Sequence, residues 1–134
     1  MKAALNVDAI LVTLPDKAEM AKVCNRLSSR AEVLGAANAV RRVGTGPEGA
    51  NFDGGGVVHT LTNGGDRIES VTIQIVGAGP AATSITAHRL EAGTARMTFS
   101  DLSEANAQRT LALLGTAYGD SSLRPQRTRR QVPT

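Results

Sequence analysis

Two stretches of this sequence place chemically capable residues at spacings that mean something. The first is Gly77-Ala78-Gly79-Pro80-Ala81-Ala82, a G-x-G-x-x-A pattern directly after the strand-like stretch Val71–Val76. Gly77 permits a tight turn out of a strand. Gly79 lets a pyrophosphate approach the backbone without meeting a Cβ, and Ala82 is small enough for close helix–strand packing. Pro80 presets the helical φ at a first turn, and the helix start offers N–H groups and partial positive charge to a phosphate. Asp101 lies 24 residues after Gly77, near the offset of ~20 at which an acid bonds the adenosine ribose hydroxyls. Its charge would repel the extra phosphate of NADP, which favours NAD. The plain alternative is a tight turn with Asp101 as a helix cap. The second stretch is Val12-Thr13-Leu14-Pro15-Asp16-Lys17. It puts a lysine in the first turn of a predicted helix, where the helix dipole disfavours a cation. That lysine is either solvated or held for chemistry.

The surrounding elements must position these residues. Ala9–Leu14 reads as a strand buried on both faces. Asp16–Leu27 reads as a helix with Asp16 as N-cap and Met20, Val23, Cys24 and Leu27 at helical spacing. Residues 28–35 continue as a short helix or turn, and 36–43 as a strand. Residues 44–56 are rich in glycine and read as punctuation. A short helix opens at Asp53, and a turn at 63–66 marks the main boundary. Beyond it come a strand at 71–76, the glycine loop, a helix closed by Gly93, a strand at 95–100, and a helix at 103–115 between Ser103 and Gly115. Strand, glycine loop, helix and strand form a βαβ unit with parallel strands.

Composition sets the class. The 134 residues contain 14 glycines and only 2% aromatics, so the core must be aliphatic and alanine-rich, as in α/β layers. The formal charge of +3 is local: four of the 15 basic residues are arginines in 124–134, leaving 11 against 12 acids elsewhere. Residues 119–134 therefore read as a basic, disordered tail rather than a nucleic-acid site. No run reaches the ~18 apolar residues of a membrane span, and the N-terminus does not read as a signal peptide. The lone Cys24 fits a reducing, cytoplasmic setting and reads as a small buried residue. His59 and His88 stand apart, so no metal site is expected, and His88 reads as solvated.

Taken in order, "VTLPDK", "AANAV" (36–40), "NFDGGG" (51–56) and "GAGPAA" (77–82) resemble the shikimate dehydrogenase family, whose pattern runs V-T-x-P-x-K, G-A-x-N-T, N-T-D-G-x-G and G-A-G-G-A. The resemblance covers about residues 5–115. It implies an α/β fold in which part of a substrate-binding domain (1–65) precedes the first βαβ(α) part of a Rossmann domain (66–118). It implies reversible NAD(P)-dependent oxidation of shikimate, or of quinate, in the chorismate route to aromatic amino acids. Lys17 matches the family's catalytic lysine and Asp53 its partner, both at the substrate hydroxyls. Thr13 and Asn38 match further substrate contacts. Gly77, Ala78, Gly79, Pro80, Ala81 and Asp101 would hold the dinucleotide.

The sequence also departs from the pattern. Phe52 and Ala39 stand where Thr is usual, Pro80 replaces a glycine, and Asp16 precedes Lys17 where an aromatic or His is common. "FSDLS" (99–103) lacks the Asn-Arg-Thr of many NADP-using members. Family members are also much longer. Their front carries paired serines that hold the substrate carboxylate, and their back carries further strands and a substrate-seating glutamine. The chain therefore reads as a divergent, NAD-leaning part of such an enzyme. The rival expectation is a non-catalytic remnant that keeps dinucleotide binding alone.

Overall fold

The structure is a computed structural model that describes residues 7–65, 71–119 and 123–125. The chain divides into two compact units, Met1–Phe52 and Asp53–Thr134. The sequence places the boundary at residue 65 instead. The division falls earlier because the helix that opens at Asp53 packs against a helix of the second unit.

The first unit is built on a four-stranded sheet of order β1-β3-β4-β2. Its strands are β1 (Ala9–Leu11), β2 (Arg26–Leu27), β3 (Ala39–Val43) and β4 (Gly46–Ala50), with helices α1 (Lys17–Val23) and α2 (Ser29–Leu34). β3 runs antiparallel to both β1 and β4, and β2 runs parallel to β4. The core is small and aliphatic. Ala21, Ala37 and Val40 are buried, with Ile10, Met20, Cys24 and Leu27 packed against them. Cys24 ends α1 and is half-buried, and burial pushes its thiol pKa up.

β1 is an edge strand with Leu11 89% exposed, so it is not buried on both faces. The first helix stops at Val23 because the following residues pair with β4: Asn25 N–H donates to the Pro47 carbonyl (2.8 Å) and Ser28 N–H to that of Gly49 (2.9 Å). Asp16 precedes the helix as expected but makes no side-chain cap bond. The glycine-rich stretch after residue 44 holds strand β4, joined to β3 by a two-residue turn in which Gly44 has φ +57°. Its glycines serve packing. A Cβ on Gly49 would lie 2.7 Å from Cys24 Sγ and 2.8 Å from Leu27 Cδ2.

The second unit holds α3 (Asp53–Asn63), β5 (Thr72–Val76), α4 (Pro80–Glu91), β6 (Arg96–Ser100), α5 (Glu104–Tyr118) and β7 (Leu123–Pro125). The three strands are parallel in the order β5-β6-β7. Two crossover helices and a monotonic strand order match the first half of a doubly wound dinucleotide fold. Buried Met97, Phe99, Leu114 and Leu123 form its apolar centre with Ala87.

α5 caps on Ser103 as expected, but it runs through Gly115 to Tyr118 and ends at Gly119. The expected tail begins with structure. Leu123–Pro125 pairs with Met97–Phe99, because β6 offers an open edge and Leu123 an apolar side chain to bury. The rest of the basic tail, 120–122 and 126–134, lies outside the described residues. His88 is buried at 7% exposure on α4, which corrects the solvated reading. No helix among the described residues is long and apolar enough to cross a membrane.

Candidate functional site

The residues of the first unit that the resemblance implies as substrate contacts are gathered by the sheet pairing. In an antiparallel sheet the end of β1 and the end of β4 both lie beside the start of β3, with Leu11 and Ala50 each opposite Ala39. Asn38 joins the three. Its N–H donates to the Ala50 carbonyl (2.9 Å), and its own carbonyl accepts from Val12 N–H (2.8 Å). Its side-chain oxygen accepts from Phe52 N–H (2.9 Å), so the amide NH2 is the donor end of that side chain. Lys17 is tied to the same corner, since Ala37 N–H donates to the Lys17 carbonyl (3.0 Å). Thr13 follows β1 and accepts Asp16 N–H at its carbonyl (3.1 Å), across a cis Leu14–Pro15 peptide.

Thr13, Lys17 and Asn38 thus sit on backbone fixed at one end of the sheet. Buried Asn51 reinforces that corner by donating from Nδ2 to the Ala36 carbonyl (3.2 Å). A cavity of about 530 Å³ on the same unit is lined by Ile10, Leu27, Val40 and Phe52 among others. None of Thr13, Lys17 and Asn38 lines it, and Arg26, Arg41 and Glu48 add charge to its wall.

Asp53 opens α3 in the second unit, where the helix dipole favours a carboxylate. The next residue is held by α4: Gly54 N–H donates to Ser84 Oγ at 3.0 Å.

The glycine loop is held through four backbone groups of Gly77–Gly79. Gly77 takes φ +99°, a conformation that L side chains rarely adopt, and its N–H donates to the Ser100 carbonyl (2.7 Å). Ala78 N–H donates to Asp101 Oδ2 (2.7 Å), and the Ala78 carbonyl accepts from Thr110 Oγ1 (2.9 Å). The Gly79 carbonyl accepts from Thr83 Oγ1 (2.9 Å) and Thr83 N–H (3.0 Å). Gly79 is the N-cap of α4 and Pro80 follows at its start. Nothing lies within 4 Å of where a Cβ would stand on Gly77 or Gly79. The loop therefore presents open space beside a helix N-terminus, which fits a pyrophosphate. Ala81 and Ala82, in the first turn of α4, have N–H groups that the helix itself cannot satisfy.

Asp101 does more than its position predicts. Its two oxygens accept from Ser103 N–H (2.7 Å) and Ala78 N–H (2.7 Å). The Ser103 amide first, then that of Ala78, hold its carboxyl below the usual carboxylate range. A depressed folded pKa contributes stability above the unfolded value of about 3.9 and loses it as pH falls through the folded value. Asp101→Asn is therefore expected to lower the thermal midpoint at neutral pH. The gap from wild type should close as pH falls below about 4. Parallel melts across that range check it.

Thr83 and Thr110 escape the sequence reading. A hydroxyl four residues after Gly79 was a usable signal for Thr83. Thr110 comes from a helix distant in sequence and left none.

A fixed glycine loop between a parallel strand and a helix N-terminus marks the second unit as a dinucleotide-binding half-domain of the Rossmann type. Known proteins place the chain further. No protein-family model matches it. The shikimate dehydrogenase (NADP+) of Geobacter sulfurreducens is 34% identical over 136 residues, covering 97% of this chain and 48% of that protein. That of Bacillus licheniformis is 40% identical over 83 residues, covering 61% of this chain and 30% of that protein. Shikimate 5-dehydrogenase from Listeria monocytogenes, solved with shikimate and NAD, superposes with TM-score 0.84 at 28% identity, over 92% of this chain and 44% of that one. Quinate dehydrogenase from Corynebacterium glutamicum, solved with NAD, gives TM-score 0.82 at 26% identity, over 94% and 46%. The chain belongs to the shikimate dehydrogenase family, and it spans about half the length of these relatives.

Proposed function

We propose that this chain carries the reacting centre of an NAD-linked oxidoreductase acting on a ring hydroxyl of shikimate or quinate. The observation that carries the reading is the corner of the first sheet, where Asn38 and the Lys17 carbonyl are fixed by backbone bonds. A relative solved with shikimate supports a ring hydroxy acid as the ligand of those residues. In this reading Asn38 donates its side-chain amide to a substrate hydroxyl, and Thr13 contributes a second polar contact. Lys17 and Asp53, the matches to the family's catalytic lysine and its partner, assist proton transfer from the reacting hydroxyl. The bound dinucleotide supplies the hydride acceptor. The chain's own loop, Gly77–Ala81, orients it through the α4 N-terminus, and Asp101 keeps the loop in shape.

NAD rather than NADP is supported by two neighbouring residues. Asp101 places negative charge at the end of β6. Leu102 is 90% exposed and apolar where a cation would have to meet a ribose phosphate. Leu102→Arg is expected to lower the KM for NADP about tenfold, as one charge-assisted pair allows, with little change for NAD. Steady-state rates with both dinucleotides check it.

The reading is tested by NADH formation from shikimate and from quinate. Dinucleotide binding without turnover on either would instead favour the non-catalytic binding module. A chain spanning 48% of its relative makes that a real alternative outcome.

A further inference from the structure

The first turn of α3 is pressed onto α4 unusually closely. A Cβ on Gly54 would collide with the Ser84 carbonyl oxygen and lie 2.6 Å from His88 Nδ1. One on Gly55 would lie 3.0 Å from His88 Nε2 and 3.2 Å from its Cδ2. The glycines after Asp53 therefore exist to admit α4, and the contact is polar. Gly54 N–H donates to buried Ser84 Oγ at 3.0 Å. The ring of His88 is locked one turn on. Its Nδ1 stands 2.9 Å from the Ser84 carbonyl, so Nδ1 carries the proton and donates.

A serine in a helix commonly bonds its own i−4 carbonyl. Thr83 makes that kind of bond, onto Gly79 of the glycine loop. Ser84, the next residue, accepts across the helix pair. Two consecutive hydroxyls of one helix thus face two different parts of the machinery. Thr83 fixes the dinucleotide loop, and Ser84 fixes the turn that begins with Asp53.

We propose that Ser84 is a positioning residue for Asp53. By taking the Gly54 N–H, with His88 behind it, Ser84 sets the carboxylate relative to the helix that receives the dinucleotide. Whatever orders α4 also orders Asp53. The catalytic meaning of this rests on the role proposed above for Asp53; the mechanical part does not.

The test uses the full 134-residue chain and Ser84→Ala, read by amide exchange, backbone relaxation and steady-state kinetics. Gly54 N–H is expected to exchange at least about tenfold faster. The order parameter of the Asp53 amide should fall from the rigid value of about 0.85 toward about 0.6. Ala78 and Gly79 amides should stay put, which shows that the fold survives. In turnover, kcat should fall about fivefold or more while KM for NAD stays within about twofold. An unchanged Asp53 order parameter overturns the inference, as does a loosened Asp53 with unchanged kcat. In a preparation without turnover, the Asp53 order parameter alone decides.

Asp53→Asn separates the two claims. If it keeps full turnover, the role of Asp53 itself fails. If it loses turnover while Ser84→Ala does not, only the positioning claim fails.

Discussion

Lys17→Met is expected to lower kcat by about 10² to 10⁴, the usual contribution of a positioned proton-transfer group. That corresponds to about 3–5 kcal/mol of barrier. Methionine keeps much of the length and the apolar stem of lysine but cannot take a proton. The backbone carbonyl of Lys17, which accepts from Ala37 N–H, is untouched, so the sheet corner should survive. Dinucleotide affinity should not change, because the glycine loop belongs to the other unit. The measurement is a pair: steady-state kcat, and titration of NAD binding on the same variant. Loss of binding together with rate would show that the substitution had damaged the fold rather than the chemistry.

The second large effect is on stability. Gly54→Ala should destabilise the chain by about 2–3 kcal/mol, within the range for overpacked sites. Two terms oppose. Alanine is the better helix former by about 1 kcal/mol. Against that, the new methyl would meet the Ser84 backbone carbonyl, which cannot swing aside, and His88 Nδ1. Moving α3 away would also strain the Gly54–Ser84 hydrogen bond, itself worth about 1 kcal/mol. The steric term wins. Gly56→Ala is the control. Nothing lies within 4 Å of its Cβ position, so only the helix term remains and a gain of about 0.5–1 kcal/mol is expected. Urea midpoints of the two variants should move in opposite directions.

The βαβ unit could be read from the sequence because its signals are local. A strand-like stretch, a G-x-G-x-x-A loop and a serine cap each act over a few residues, and the structure keeps all three. β4 could not be read, because Gly46, Pro47 and Gly49 argue against a strand. Those glycines are set by close neighbours from elsewhere: Asn25 at Gly46, and Cys24 and Leu27 at Gly49. β7 was hidden in a basic tail because its reason for forming is the open edge of β6. His88 looked solvated because the glycines that cover it lie more than thirty residues earlier.

The site shows the same division. Lys17, Asn38 and Asp53 stand out by type and order. Thr110, which holds the Ala78 carbonyl, and Ser84, which holds Gly54, are visible only once helices are packed. Asp101 was readable as an acid near the loop. That it fixes the loop by accepting the Ala78 N–H was not.

The most direct test of the account is initial-rate NADH formation by the 134-residue chain with shikimate and with quinate, alongside Lys17→Met and an NAD-binding titration. Turnover on at least one of the two hydroxy acids is expected, falling by about 10² to 10⁴ in the variant while NAD binding persists. NAD binding with no turnover on either substrate would contradict it and leave a dinucleotide-binding module.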